Sequence, residues 1–207
     1  TRASAIGVRS NWDDPSISEP MDISAQVLVA PLVVKHRGLM DYRACWAEMR
    51  ALTAARDEHT ADEVWLVEHA PVFTLGLAGK AEHILDPGTI PIVRSDRGGQ
   101  VTYHGPGQVV AYVMLDLRRH GLTVRGLVSS MEQSAIDVLR RHGVEATRIA
   151  GAPGVYADEA KVAACGVRIV RGCSYHGLAL NVDMDLSPFQ RINPCGYAGM
   201  RVTQTRD

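Results

Sequence analysis

A mixed β-sheet covered by helices, of α/β or α+β type, is the fold class that this sequence predicts. Three observations predict it: two long amphipathic stretches, a larger number of short β-branched runs, and no internal repeat at 20–50 residues. The first amphipathic stretch runs from Leu39 to His59, where Tyr42, Cys45, Trp46, Met49 and Leu52 form one apolar stripe at three- and four-residue spacing. The second runs from Val124 to His142, with Val124, Leu127, Val128, Met131, Ala135, Val138 and Leu139 on a shared face. Thr123 can cap its start and Gly143 can end it.

The strands follow from shorter runs. Gln26 to Val34 is β-branched and apolar, and Glu63 to His69 is closed by Pro71. A glycine-rich loop, Leu75 to Gly79, separates these from a short strand at Pro91 to Arg94 and a longer one at Gln108 to Asp116. Val162 to Val170 and Ser174 to Asp183 flank Arg171-Gly172-Cys173, which predicts a hairpin. The end of the chain reads as loop, through Leu186-Ser187-Pro188 and Asn193-Pro194-Cys195-Gly196-Tyr197.

The bulk numbers bound the function. A chain of 207 residues, 46% hydrophobic and 22% charged, can bury a core without disulfide or metal staples. Residues 1–20 are polar and patternless and read as a disordered leader or an expression remnant; residues 21–207 read as one domain. The formal net charge of -1 supplies no global basic field, so neither nucleic acid nor an anionic membrane is expected as a partner. No apolar run reaches the roughly 18 residues of a membrane-spanning helix. Residues 1–20 lack the apolar segment of a secretory signal, and the four cysteines form no C-x-x-C pair. Free thiols in a reducing cytoplasm are the expected setting.

The stretch from Arg97 to Gln108 (RGGQVTYHGPGQ) is the most unusual. Four glycines and a proline bring backbone close to a neighbour, with Arg, Gln, Thr, Tyr and His interleaved to hydrogen-bond it. The plain alternative is a tight hairpin whose polar residues face water. Gly76-Leu77-Ala78-Gly79-Lys80-Ala81 imitates a phosphate loop but lacks its spacing and its hydroxyl residue, so it reads as a loop.

Asn193-Pro194-Cys195-Gly196 sets a thiol between a rigid residue and a permissive one, a context that presents a side chain. Cys45 lies on an apolar helix stripe, and Cys165 and Cys173 lie in or beside strands, where packing is the default. A thiol nucleophile needs a partner that makes it a thiolate. His104, His176 and Lys161 are the candidates. Apolar neighbours around Lys161 are expected to lower its pKa. The series His104, Cys165, Cys173, His176, Cys195 matches no standard zinc spacing, and no metal is expected.

Four blocks together resemble the octanoyl-[acyl-carrier-protein]:protein octanoyltransferases, the lipoate-protein ligase B family. They are Pro71 to Gly76; Arg97 to Gln108; Gly151 to Tyr156 with Lys161 to Arg168; and Ser174 to Val182 with Asn193 to Tyr197. The resemblance runs from about residue 26 to the end of the chain. It implies a fold similar to the catalytic domain of biotin and lipoate protein ligases. It implies Cys195 as acyl-thioester nucleophile and Lys161 as its acid/base partner. It places the acyl pocket on Arg97, Gly98, Gly99, Gln100, Val101, Thr102, Tyr103 and His104, on Ala164, Cys165 and Gly166, and on Gly177, Leu178 and Ala179.

The implied donor is octanoyl-acyl carrier protein. The implied acceptors are lipoyl domains of 2-oxoacid dehydrogenases and the glycine cleavage H protein. No cofactor is implied, and a further helical segment is implied beyond the cysteine loop, where this chain ends at Asp207. Backbone N–H groups of the glycine-rich loops are expected to hold the oxyanion. A basic patch including Arg168, Arg171 or Arg191 is expected to receive acidic partners. The alternatives are an ATP-dependent lipoate or biotin protein ligase, a non-catalytic acyl-binding protein of the same fold, and a Cys-His hydrolase that would release free acid.

Overall fold

The computed structural model describes residues 32–206. The expected leader at 1–20 and the first part of the strand expected at Gln26 to Val34 lie outside the described residues. The chain forms β1 (Leu32–Met40), α1 (Tyr42–Ala55), β2 (Asp62–His69), β3 (Val72–Leu75), β4 (Ile92–Arg94), β5 (Val101–His104) and β6 (Gln108–Met114). It continues with α2 (Val124–Arg141), β7 (Thr147–Ile149), β8 (Ala152–Ala157), β9 (Ala160–Val170) and β10 (Cys173–Asn181). A seven-stranded sheet has the order β1-β2-β6-β10-β9-β8-β7, and a three-stranded sheet has the order β4-β3-β5. Both are mixed: β1 with β2 and β3 with β4 are parallel, and the remaining pairs are antiparallel.

Helix α1 starts later than its apolar pattern suggests, because β1 stays paired with β2, through a register shift between His36 and Gly38, as far as Met40 opposite His69. Asp41 then caps it, its Oδ1 accepting from the Ala44 N–H at 2.8 Å. The helix ends before His59, since the Asp57 carboxylate accepts from the N–H groups of His59 and Thr60 and closes a local turn. Cys45 and Met49 pack on Trp65, Val67, Val110, Tyr112 and Met114, so Cys45 is a core residue as expected.

Helix α2 buries Leu127, Met131, Ala135, Ile136 and Leu139 on the opposite face of the large sheet, against Val155, Val162, Ala163, Leu178 and Leu180. The expected stripe is narrower than drawn: Val124 and Val138 are exposed and Ile136 takes the buried place. Thr123 Oγ1 accepts from the Gly126 N–H at 3.0 Å. Thr123→Ala removes that acceptor and is expected to lower stability by about 1 kcal/mol, read as a shift in urea midpoint at unchanged slope.

The β9–β10 hairpin forms as expected, in register from Cys173 opposite Val170 to Leu180 opposite Ala163. Arg171 and Gly172 both have positive φ, 52° and 85°, the requirement of a two-residue turn whose twist matches the strands. The stretch 97–108 is not a hairpin. Its first half, β5, pairs with β3, whereas its second half, β6, pairs with β2 and β10, so the chain changes sheets at Gly105-Pro106-Gly107. β3 is buried along its whole length, which removes the alternation that would reveal a strand. At Gly177 a Cβ atom would lie 2.0 Å from the Ala111 carbonyl oxygen, so β10 and β6 approach here only without a side chain.

Candidate active site

Cys195 sits in a short 3₁₀ turn, Pro194–Gly196, with φ 55° and ψ 15°, a left-handed conformation that a residue with a Cβ adopts at a cost. The turn is over-determined by its bonds. Gly196 N–H donates to Asn193 O at 2.9 Å, Tyr197 N–H to Pro194 O at 3.0 Å, and Asn193 N–H to His83 O at 2.8 Å. The thiol is therefore presented, as the Pro-Cys-Gly context suggests, and half-buried in a cavity wall.

Lys161 lies near the start of β9, with its backbone gripped from the C-terminal stretch. Its N–H donates to Arg201 O at 2.8 Å and its carbonyl accepts from Thr203 N–H at 3.0 Å. The side chain is buried, and Nζ donates to Cys195 Sγ at 3.0 Å and to Pro153 O at 3.1 Å. Nζ also stands 5.1 Å from the centre of the Tyr156 ring. The lowered pKa expected for Lys161 is not what the surroundings produce. Burial does work against the ammonium, but Cys195 and Tyr156 outweigh it and raise the pKa above the ordinary value of lysine. Lys161 is a cation at neutral pH.

The pair opens on a cavity of about 210 Å³ between the two sheets. Arg97, Gly99, Gln100, Val101, Thr102 and His104 line it from the glycine-rich segment. Ala164, Cys165 and Gly166 line it from β9, and Gly177, Leu178 and Ala179 from β10. Two expected pocket residues lie outside this lining. Gly98 is engaged with β9, its N–H donating to Val167 O at 2.9 Å. The Tyr103 ring packs with Phe73 and Phe189, each at 5.5 Å between centroids, and belongs to a core cluster. Tyr42, Val110, Tyr112, Pro153 and Tyr197 also line the cavity. Tyr42 and Val110 were legible only as apolar positions of a helix and a strand, and nothing in such a pattern tells a cavity from a core.

Arg97 is buried, and its guanidinium donates to four kinds of oxygen: Thr74 O at 2.7 Å, Thr74 Oγ1 at 2.9 Å, Gln100 O at 2.8 Å and Gly98 O at 2.9 Å. It straps the loop 97–100 onto β3. A lysine carries its charge at one point and cannot span these acceptors. Arg97→Lys is expected to slow turnover by at least about tenfold, on the order of one lost charge-assisted hydrogen bond. Steady-state kinetics beside thermal melting would separate that loss from unfolding.

The histidines named as possible thiol partners have other roles. Burial, with the charges of His69 and Arg97, pushes His104 down to about 3, so it is a neutral imidazole. Its Nδ1 donates to Gln108 Oε1 at 2.7 Å. Burial also lowers the pKa of His176, opposed by Asp96, whose Oδ1 lies 2.9 Å from Nε2. Burial raises the Asp96 pKa, but hydrogen bonds from His176, Tyr175 and Trp46 outweigh it and hold the carboxyl at about 2. Cys165 lines the same cavity, yet burial pushes its thiol up to about 12 and keeps it protonated. Burial likewise pushes Cys45 up to about 12. Among the described residues, Lys161 is the side chain that hydrogen-bonds Cys195 Sγ.

Two further expectations change. The N–H groups of Gly76, Gly79 and Gly98 are already donated to Gln100 O, Gly76 O and Val167 O, so these three cannot serve an oxyanion. The suggested basic patch does not present three free cations: Arg171 donates to the carbonyls of Thr53 and Ala54, and Arg191 pairs with Asp86. Arg168 is half-buried in β9, opposite Tyr175.

A covalent-capable thiol beside a buried cation, on a mixed sheet between two amphipathic helices, places the chain in a definite class. It belongs to the lipoyl protein ligase A/B catalytic-domain family, whose model matches residues 41–207. Its similar relatives are octanoyltransferases. The octanoyltransferase of Ectopseudomonas mendocina is 62% identical over 176 residues, covering 85% of this chain and 86% of the relative. That of Thiobacillus denitrificans is 61% identical over 176 residues, covering 85% and 81%. Among solved structures, lipoate-protein ligase A bound with ATP aligns with a TM-score of 0.68 at 18% identity, over 86% of this chain and 76% of that one. At that identity the likeness is one of fold.

Proposed function

We propose that this chain is an octanoyltransferase of protein lipoylation that works through a thioester on Cys195, with Lys161 as its proton carrier. The observation that carries the reading is the 3.0 Å contact between Lys161 Nζ and Cys195 Sγ at the cavity wall. A raised lysine pKa beside a sulfur means that Lys161 is held as the ammonium within hydrogen-bond reach of Sγ. Lys161 therefore begins the cycle holding the proton, not waiting for one.

The donor is an octanoyl thioester of acyl carrier protein. Sγ attacks the thioester carbonyl; the new C–Sγ bond forms as the bond to the carrier thiol breaks. The Lys161 ammonium protonates the departing thiolate and becomes neutral. A lysine amine of a lipoyl domain then attacks the Cys195 thioester. Neutral Lys161 takes the proton that the amine loses, the amide forms, and Sγ leaves as thiolate beside a restored ammonium. Atoms and charge balance, and no nucleotide enters. One thioester replacing another is nearly thermoneutral, and thioester to amide runs downhill. Val101, Leu178 and Ala179 supply apolar wall for the acyl chain, where each buried methylene contributes about 0.8 kcal/mol.

The test is transfer from octanoyl-acyl carrier protein to a lipoyl domain with no nucleotide present. The expected result is an acceptor heavier by one octanoyl group, on lysine. A requirement for ATP with free octanoate would instead make the chain a ligase.

A further inference from the structure

We infer that Glu132 is a positioning residue for the Lys161–Cys195 pair, acting through the single peptide group between Pro153 and Gly154. Glu132 is a carboxylate on the inner face of α2, with its side chain 8% exposed. A charge so placed requires partners. It has two. Its Oε2 accepts from Arg148 Nε at 3.1 Å, and its Oε1 accepts from the Gly154 N–H at 2.8 Å. That N–H belongs to the same peptide unit as the Pro153 carbonyl, which accepts from Lys161 Nζ at 3.1 Å. The peptide is trans, so its N–H and C=O point in opposite directions. A chain of contacts results: carboxylate, peptide N–H, peptide C=O, ammonium, sulfur.

The arrangement does two things. A carboxylate on the N–H polarises the peptide and makes its carbonyl a stronger acceptor for an ammonium. It also helps to pin the plane of that peptide within β8, next to the register shift between Val155 and Tyr156. Gly154 has φ 129°, a conformation that only glycine adopts without strain. A Cβ there would stand 2.6 Å from Ala163 O and 3.2 Å from Lys161 Cε. Gly154 itself offers no side chain to hold this part of β8, and Glu132 adds a constraint from outside the strand. With the carbonyl fixed, Nζ has two acceptors in place, Pro153 O and Cys195 Sγ.

The inference rests on the Cys195–Lys161 reading, and its test uses a different readout. The pH profile of Cys195 alkylation by iodoacetamide, mapped to the Cys195 peptide by mass spectrometry, reports the thiolate without any acyl transfer. Glu132→Asp keeps the charge but shortens the reach by one methylene, so the Gly154 contact is lost. Its profile is expected to move to higher pH, with alkylation at pH 7 slower by several-fold and a matching loss in kcat, not KM. Glu132→Gln keeps an oxygen acceptor for Gly154 but loses the charge that polarises the peptide, and its profile is expected to move in the same direction as that of Glu132→Asp by a smaller step.

A merely structural Glu132 would lower the melting temperature of both variants and leave both profiles on the wild-type curve. A through-space effect of its charge would move the Gln profile to lower pH and leave the Asp profile in place. Either outcome overturns the inference. Failure of the underlying reading looks different: wild type itself then shows no octanoyl adduct on Cys195.

Discussion

Cys195→Ala is expected to abolish octanoyl transfer, with a loss of at least about 10³-fold and no measurable acyl-enzyme. Loss of a nucleophile in a covalent mechanism leaves only binding and electrostatic contributions, and removals of this kind have cost on the order of 10⁶ in kcat. The substitution is small and the fold should tolerate it. Cys195 is half-buried at a loop turn, not in a packed cluster. Its backbone geometry is held by bonds from Asn193, Gly196 and Tyr197 that need no sulfur. Relieving a left-handed Cβ residue by Cys195→Gly would even favour the turn. The distinguishing pattern is thus lost activity at unchanged melting temperature. Cys165→Ala, in the same cavity, serves as the control thiol and is expected to keep the covalent intermediate. Transfer that survived in Cys195→Ala would move the chemistry elsewhere.

Lys161→Met is the second large effect. It keeps the length and apolar stem of the side chain and deletes the cation that touches Sγ. Proton transfer by a positioned side chain contributes typically 10²–10⁴-fold, and a loss in that range is expected for both half-reactions. The pH dependence carries a sign. Because the folded pKa of Lys161 lies above the ordinary lysine value, wild type keeps its ammonium throughout the neutral and mildly alkaline range. Alkylation of Cys195 in wild type should therefore reach its plateau at lower pH than in Lys161→Met, where the thiol has lost its nearest charge. Coincident profiles would show that the lysine is not what ionises the sulfur. Collapse of the fold would instead mark Lys161 as a structural residue at the start of β9.

Helices α1 and α2 were legible because one face of each is covered and the other is wet, so the 3.6-residue period survives in the sequence. The β9–β10 hairpin was legible because its turn needs two residues with positive φ and Arg171-Gly172 supplies them with β-branched runs on both sides. β3 was not legible, since four consecutive buried residues carry no alternation. β5 was not legible as a strand, and the tight hairpin that was the plain alternative for 97–108 does not form, because the Gly105-Pro106-Gly107 corner sends β5 and β6 to different sheets.

At the site, Cys195 stood out through its neighbours, and Lys161 through apolar residues around it. The sign of its pKa shift did not follow from those neighbours. A sulfur from 34 positions away in sequence, together with Tyr156, decides it, and sequence holds no record of that approach. Glu132 was invisible for the same reason. On α2 it is one charged residue in a helix, and only the fold brings its carboxylate to the Gly154 N–H.

The most direct test is to incubate the wild-type protein with octanoyl-acyl carrier protein in the absence of acceptor, quench in acid, digest and map the product. The expected result is one octanoyl group on the peptide that contains Cys195, discharged to the acceptor lysine when a lipoyl domain is added. An adduct on Cys165 or Cys45, or turnover with no adduct on any cysteine, would contradict the covalent relay.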